Sequence, residues 1–567
     1  MHFSTRMTLI IIVTTVCLHL AVIKTHGYVN NIEVRSPAGT FQAIALISQQ
    51  GHQYTAFLGI PYAIPPLGEL RFSKPKPYPV IQEIFEATKF GPICLQPKGV
   101  DLGSPGQEDC LYLNVFIPFT NKSSPDVNLK KVFVFIHGGS YFMGSANEHV
   151  PGDLVAMGDV IVVTFNYRLS WLGFLKGDSP ELPGNQGLWD QLLALTWVKN
   201  NIRSFGGDPD DITVGGNSMG GESVSALSIM KPAQTLFSKG LIMSGTMFTC
   251  PSTPGSSDVL LELLTDRVGC KSDPGGPRNV SEIVRCLRDL PAESFILPLE
   301  GQYTNKFTTI DGELFPAPIT TLVEDLSYLK SVGFYDRDYI VSLTSNEGAI
   351  EFFGPFDLQI NPDEIDADFF SKRFRIPLRI ASQMLKLYKN PGFYKYNSGY
   401  DAVADPVMVI PTFKFLESFA ANRQEDVKGK SYFLWFDHSP TFMPLTIQGM
   451  VHGLDLTYLF DLQPKEILHF YYGLQVDKGF EPEDYDLKNL YNAMLTDFMK
   501  KGDPGLSLKQ KFDITWPPFD LEAEPYLCYG PTPSVRHRPI FKRRQLWLQF
   551  LPYLLSEHSQ EKLKEEL

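Results

Sequence analysis

The chain has 567 residues, of which 43% are hydrophobic and 20% charged, and its formal net charge is −13. That composition belongs to a globular protein with a large core and excludes a disordered or fibrous chain. The acidic balance excludes nucleic acid as a partner, because nothing resembles a basic face able to neutralise phosphates.

From the N-terminus, Arg6 precedes an apolar stretch, Met7 to Ile23, and small or weakly polar residues follow at Thr25 and Gly27. A positive end, an apolar middle and small residues at the cut are the layout of a secretory signal peptide, so residues 1–27 are expected to leave near Gly27–Tyr28. The competing reading is an uncleaved anchor, but the stretch is short and carries Thr14 and Thr15. No later segment is long and apolar enough to span a bilayer. No repeat, low-complexity run or Pro/Gly/Ser-rich linker divides the remainder, and residues 28–567 are expected to form one domain.

Entry into the secretory pathway implies oxidised cysteines. Cys17 leaves with the signal peptide, and Cys94, Cys110, Cys250, Cys270, Cys286 and Cys528 remain. Cys94–Cys110 and Cys270–Cys286 would each close a short loop, the easiest kind to close. No Cys-x-x-Cys or clustered His accompanies them, so no metal site is expected. Asn121-Lys-Ser and Asn279-Val-Ser are glycosylation acceptors suited to the same compartment. The last residues, Lys564-Glu-Glu-Leu567, come within one methylene of the Lys-Asp-Glu-Leu retrieval signal. A retrieval receptor would hold such a protein in the lumen of the endoplasmic reticulum; read instead as a charged helix end, the same residues leave it secreted.

Along the mature chain, short apolar runs alternate with helix-like stretches. Val132–Ile136, Val160–Phe165, Ile212–Val214, Gly240–Met243, Tyr339–Leu343 and Tyr432–Phe436 are apolar on both faces. Strands buried on both faces read like this, as in a parallel sheet covered by helices. Between two of them, Trp189 to Ile202 carries Leu192, Leu193, Leu195, Val198 and Ile202 near helical spacing, the pattern of a crossover helix. The class is therefore α/β, a mostly parallel, doubly wound sheet with its site at the carboxyl ends of the strands. Residues 251–334 and 352–429 read as helical insertions that wall or cover that site.

The sharpest local signal is Gly216-Asn-Ser218-Met-Gly-Gly221, between the strand Ile212–Val214 and the helix-like Glu222–Met230. A nucleophile elbow needs this order of strand, tight turn and helix, with Ser218 Oγ raised above the sheet and the flanking glycines leaving the turn uncrowded. The following helix points its N-terminus at the oxyanion. A Gly-x-Ser-x-Gly run alone often marks only a loop, and the setting is what makes this one informative. His137-Gly138-Gly139 closes the strand Val132–Ile136; the N–H groups of Gly138 and Gly139, with that of Met219, would form an oxyanion hole. Alone it reads equally well as a glycine-rich turn. His137 itself reads as a loop-bracing histidine rather than a base.

These motifs sit among others: Gly59-Ile-Pro-Tyr-Ala63, Leu70-Arg-Phe72, Glu108-Asp-Cys-Leu-Tyr-Leu-Asn114, Asn166-Tyr-Arg168, Gly184-Asn-Gln-Gly187, Asp190-Gln191, Phe205-Gly-Gly-Asp-Pro209, Asn346-Glu-Gly348 and His452-Gly453. Together they resemble the type-B carboxylesterases, the α/β-hydrolase family that includes cholinesterases, bile-salt-activated lipase and several non-enzymatic adhesion proteins. The resemblance covers nearly the whole mature chain. It implies Ser218 as nucleophile, His452 as general base and then acid, and Glu347 as the carboxylate that orients it. Taken alone, either of the last two would read as a solvated surface group. The resemblance also implies the Cys94–Cys110 and Cys270–Cys286 disulfides, gives no counterpart for Cys250 and Cys528, and likens Ser244 to a serine supporting the triad.

Two departures bear on substrate. The family commonly has Glu before the nucleophile and Ala after it, where this chain has Asn217 and Met219. Losing that carboxylate should lower the His452 pKa and weaken attraction for cations, while Met219 keeps a backbone donor but crowds the site floor. The Cys94–Cys110 loop also lacks the Trp on which cholinesterases stack choline. The sequence thus points to a serine carboxylesterase for small, neutral ester substrates that needs no metal or organic cofactor. The alternatives are a catalytically silent, cholinesterase-like adhesion domain and a lipid-ester hydrolase.

Overall fold

A run such as Val132–Ile136 is stable only with both faces covered, and it sits between two cores. Val132, Val134 and Ile136 pack into one hydrophobic cluster and Phe133 and Phe135 into the other, as the two-residue period of a strand requires. The computed structural model describes residues 32–96, 105–119, 128–249, 256–271, 279–296, 308–352, 361–421, 428–444 and 447–566. The expected signal peptide 1–27, Asn121, Cys250 and Leu567 lie outside the described residues.

The strands are β1 (Glu33–Ser36), β2 (Gly39–Gln42), β3 (Ile44–Ile47), β4 (Gln53–Pro61), β5 (Ile84–Glu86), β6 (Tyr112–Pro118) and β7 (Lys130–Ile136). They continue as β8 (Ile161–Phe165), β9 (Gly207–Asn217), β10 (Lys239–Met243), β11 (Asp338–Thr344), β12 (Ser431–Phe436), β13 (Pro525–Tyr529) and β14 (Ser534–His537). The large sheet runs β14-β13-β12-β11-β10-β9-β7-β8-β6-β4-β3, and β1-β2-β5 form a small one. From β8 to β13 every pairing is parallel, and antiparallel strands finish both edges.

All six runs apolar on both faces are parallel strands of this sheet, and β9 extends beyond its expected span to end directly before Ser218. Helix α1 (Gln186–Asn201) is the expected crossover, and α2 (Met219–Leu227) starts at Met219 rather than at Glu222. The described parts of the two expected insertions carry helices. Ser256–Val268 and Val280–Asp289 lie between β10 and β11; Ala367–Phe374, Leu378–Tyr388, Ser398–Ala404 and Ile410–Ala421 lie between β11 and β12. Among the helices that follow β12 are α3 (Pro464–Tyr472) and α4 (Pro482–Lys501). Among the described residues no helix is long and apolar enough to cross a membrane.

Several motifs behind the resemblance brace the scaffold. Arg71 forks onto Glu108 at 2.6 and 2.7 Å while its Nη1 donates to the carbonyls of Leu287 and Leu290. Arg168 forks onto Asp190 at 2.7 and 2.8 Å. These buried guanidinium–carboxylate pairs need bidentate geometry to offset desolvation. Cys94–Cys110 and Cys270–Cys286 are disulfides, and Cys528 is a buried free thiol. Asn279 is exposed and caps the helix Val280–Asp289 through its side-chain oxygen. The terminal helix Leu551–Glu566 contains Lys564, Glu565 and Glu566.

Candidate active site

Strand order places the site. From β7 the chain passes to β8 on one side and then back to β9 on the other, so the loops after β7 and β9 part at a switch point, where a crevice opens at the carboxyl ends. Ile136 and Gly216 are register partners, which sets His137-Gly138-Gly139 beside the turn that carries Ser218.

Ser218 has φ 57° and ψ −125°, a conformation costing about 1–3 kcal/mol for a residue with a side chain. Local bonds hold it there: its N–H donates to Met243 O at 2.8 Å, and its carbonyl accepts from Glu222 N–H at 3.0 Å. The flanking glycines are required by close approach. A methyl on Gly220 would come within 2.1 Å of Ile136 O, and one on Gly138 within 2.6 Å of Asn217 O and 3.1 Å of Ser218 Cβ. The backbone at Gly138 therefore lies against Ser218, and Gly139 (φ 102°) turns the loop away. Met219, as the first residue of α2, has an N–H with no acceptor inside the helix.

Glu347 opens the turn beyond β11, and His452 follows the loop beyond β12. Parallel pairing of β11 with β12 brings the two loops together, and side chains stitch them. Asn346 N–H donates to Met450 O, Asn346 Nδ2 to Gln448 O, and Met450 N–H to Ser345 Oγ, at 2.8, 2.8 and 3.0 Å. Glu347 Oε1 accepts from Ser244 Oγ and from Thr344 N–H, both at 2.6 Å. Its Oε2 lies 2.6 Å from His452 Nδ1. A carboxylate already accepting two bonds is an acceptor for the third, which makes Nδ1 the donor and leaves the Nε2 lone pair free to take a proton. Ser244 thus stands beside the carboxylate, in a positive-φ conformation of its own.

The His452 loop reaches the elbow, since a methyl on Gly453 would lie 3.7 Å from Asn217 Oδ1. Glu347 and His452 are buried, whereas Ser218 is partly exposed. Ser218 Oγ makes no hydrogen bond among the described residues. Nucleophile–base contacts are often long before substrate binds.

Burial pulls the His452 pKa down, but the hydrogen bond and charge of Glu347, with the charges of Asp455 and Glu351, outweigh it and leave it raised above 6.5. The lowering expected from Asn217 is relative to a carboxylate at that position; in this chain carboxylates from elsewhere in the fold hold the imidazole above its ordinary value. Asp455, three residues past His452, is a site residue the sequence reading missed; burial and the charge of Glu347 push it up to about 7. His137 is buried and held down at about 3, and its ring stacks on Tyr167 with centroids 4.4 Å apart, which suits the bracing role.

A family model described as the Carboxylesterase family matches residues 30–547. The chain is 41% identical to an acetylcholinesterase-1 of Trittame loki, over 87% of this chain and 89% of that protein. It is 30% identical to a juvenile hormone esterase of Heliothis virescens, over 83% and 85%. Identity is 36% with a carboxylic ester hydrolase of Bombus ignitus, over 56% of each.

Proposed function

Because this chain belongs to the carboxylesterase family and is a carboxylic ester hydrolase of the α/β-hydrolase fold, we propose that it cleaves neutral esters through Ser218, Glu347 and His452. Ser218 Oγ attacks the ester carbonyl while His452 Nε2 takes its proton. The N–H groups of Gly138, Gly139 and Met219 stabilise the oxyanion. His452 then protonates the leaving alcohol, and water hydrolyses the acyl-enzyme by the reverse proton path. Glu347 holds the imidazole tautomer and stabilises the imidazolium.

The observation that carries this reading is the bonded chain Ser244–Glu347–His452, whose loop reaches Asn217 in the elbow of a strained, partly exposed serine. A silent adhesion domain has no use for backbone strain at an accessible hydroxyl. The test is a fluorophosphonate probe read by intact mass and peptide mapping. One adduct on Ser218 is expected, and an unlabelled protein would return the silent domain.

The acid limb of kcat/KM against pH reports the base in the free enzyme. His452 must be neutral to accept a proton, so a raised pKa places that limb above 6.5. Asp455→Asn removes a charge that favours the imidazolium, and the limb should move to lower pH. A limb that stayed put would mean that Asp455 does not act on His452.

Neutral esters should be preferred over choline esters of the same acyl group. The missing Trp in the Cys94–Cys110 loop removes a cation–π platform worth roughly 0.5–2 kcal/mol, and Asn217 removes a second attraction. The combined effect on kcat/KM is about one to two orders of magnitude. Butyrylcholine is to be compared with an uncharged butyrate ester of similar leaving group at physiological ionic strength, where long-range steering by the −13 net charge is screened. Equal or faster choline-ester hydrolysis would mean that another aromatic replaces the Trp.

A further inference from the structure

His452 is held at two places by the bonds described so far. Glu347 grips the ring at Nδ1, and residues 345 and 346 hold the loop before it. Neither fixes the peptide that leaves His452, where Gly453 turns the chain at φ 75°. Leu454 N–H closes this turn onto Val451 O at 3.1 Å, a bond that spans the His452–Gly453 peptide without engaging the His452 carbonyl.

A third hold comes from Tyr472. Its hydroxyl donates to the His452 carbonyl at 2.6 Å. Tyr472 is the last residue of α3, and Gly473 (φ 62°) ends that helix. The ring is 2% exposed and packs in the same core as Leu454, Phe460 and Leu468. The hydroxyl is therefore carried on a rigid, buried support rather than on a loop, which is what precise placement of a reacting group requires.

We propose that Tyr472 is a positioning residue for the reaction, its hydroxyl fixing the His452 backbone so that Nε2 faces Ser218. The inference rests on His452 being the base. It goes further in making α3, a helix that follows the His452 loop, part of what sets the rate.

Tyr472→Phe removes one hydroxyl and keeps the ring. The control is Tyr529→Phe, since the Tyr529 hydroxyl donates to Leu487 O, also at 2.6 Å, from an equally buried ring in the same core. Both variants lose one buried tyrosine–carbonyl bond and should lose similar amounts of Tm. All assays are run at a temperature where melting curves show both folded. For Tyr472→Phe, kcat should fall roughly tenfold with KM within about twofold, because misplacing a base costs rate rather than ground-state binding. The saturating rate of fluorophosphonate labelling should fall by a similar factor. For Tyr529→Phe, both rates should stay at the wild-type level.

Wild-type kcat in Tyr472→Phe, or an equal loss in both variants, would overturn the positioning role and leave a structural bond. Failure of the triad reading shows differently, as a wild-type protein that does not label at Ser218, and it would remove the premise itself.

Discussion

Ser218→Ala is expected to abolish turnover of a short acyl ester while leaving the fold intact. Losing the nucleophile of a serine triad lowers kcat by a factor on the order of 10⁶, since the remaining groups act only through it. The fold should tolerate the change. Alanine keeps the Cβ, so the φ of 57° remains as costly as before, and the bonds to Met243 O and from Glu222 N–H are made by backbone. Loss of one partly exposed hydroxyl should leave Tm within a few degrees. The assay pairs hydrolysis with a melting curve. A folded variant retaining more than a few per cent of activity would take the nucleophile away from Ser218.

Glu347→Gln should be nearly as damaging, through the hydrogen-bond pattern rather than lost bulk. Glu347 Oε1 accepts from Ser244 Oγ and Thr344 N–H, and Oε2 faces His452 Nδ1. A glutamine has one acceptor oxygen to offer these two sides. With that oxygen towards Ser244 and Thr344, its NH₂ meets Nδ1–H, and the imidazole must change tautomer and put its proton on Nε2. With the amide flipped, the NH₂ meets two donors instead. The first arrangement leaves a base unable to accept from Ser218, and an error of tautomer of this kind costs roughly 10⁴ in kcat. KM should change little, because the carboxylate acts on charge that develops in the transition state. Glu351→Gln is the control. Glu351 pairs with Arg373 at 2.7 Å and acts on His452 only through its charge, so its effect should be small. Reversal of the two results would move the acid to Glu351.

Much of this architecture was legible before any coordinates. The six central strands stood out because a parallel sheet buries both faces, and short apolar runs bounded by turn residues are how such strands read. The antiparallel edges did not stand out. The edge strand Ser534–His537 is short and half-exposed, and it carries polar residues where one face meets water. Helix α3 was missed as well, since an element of nine residues is too short for a clear periodic signal.

The same division runs through the site. Ser218, Gly138, Gly139 and Met219 could be read locally, because an elbow and a glycine turn are each built from consecutive residues. The Cys94–Cys110 and Cys270–Cys286 loops were equally local. Glu347 and His452 were not legible by position, since they stand 105 residues apart, and a lone acid or histidine reads as surface. Only family resemblance named them.

By itself, then, the sequence determined the fold class, the tight turn at Ser218 and the two short disulfide loops, because each is encoded by contiguous residue pattern. The tertiary structure decided which carboxylate faces which ring nitrogen, through the pairing of β11 with β12 and the bonds between residues 345–346 and 448–450. It also decided the sign of the His452 shift. Electrostatic interaction depends on distance and burial rather than on place in the chain, and Asp455 and Glu351 reach the imidazole only after folding.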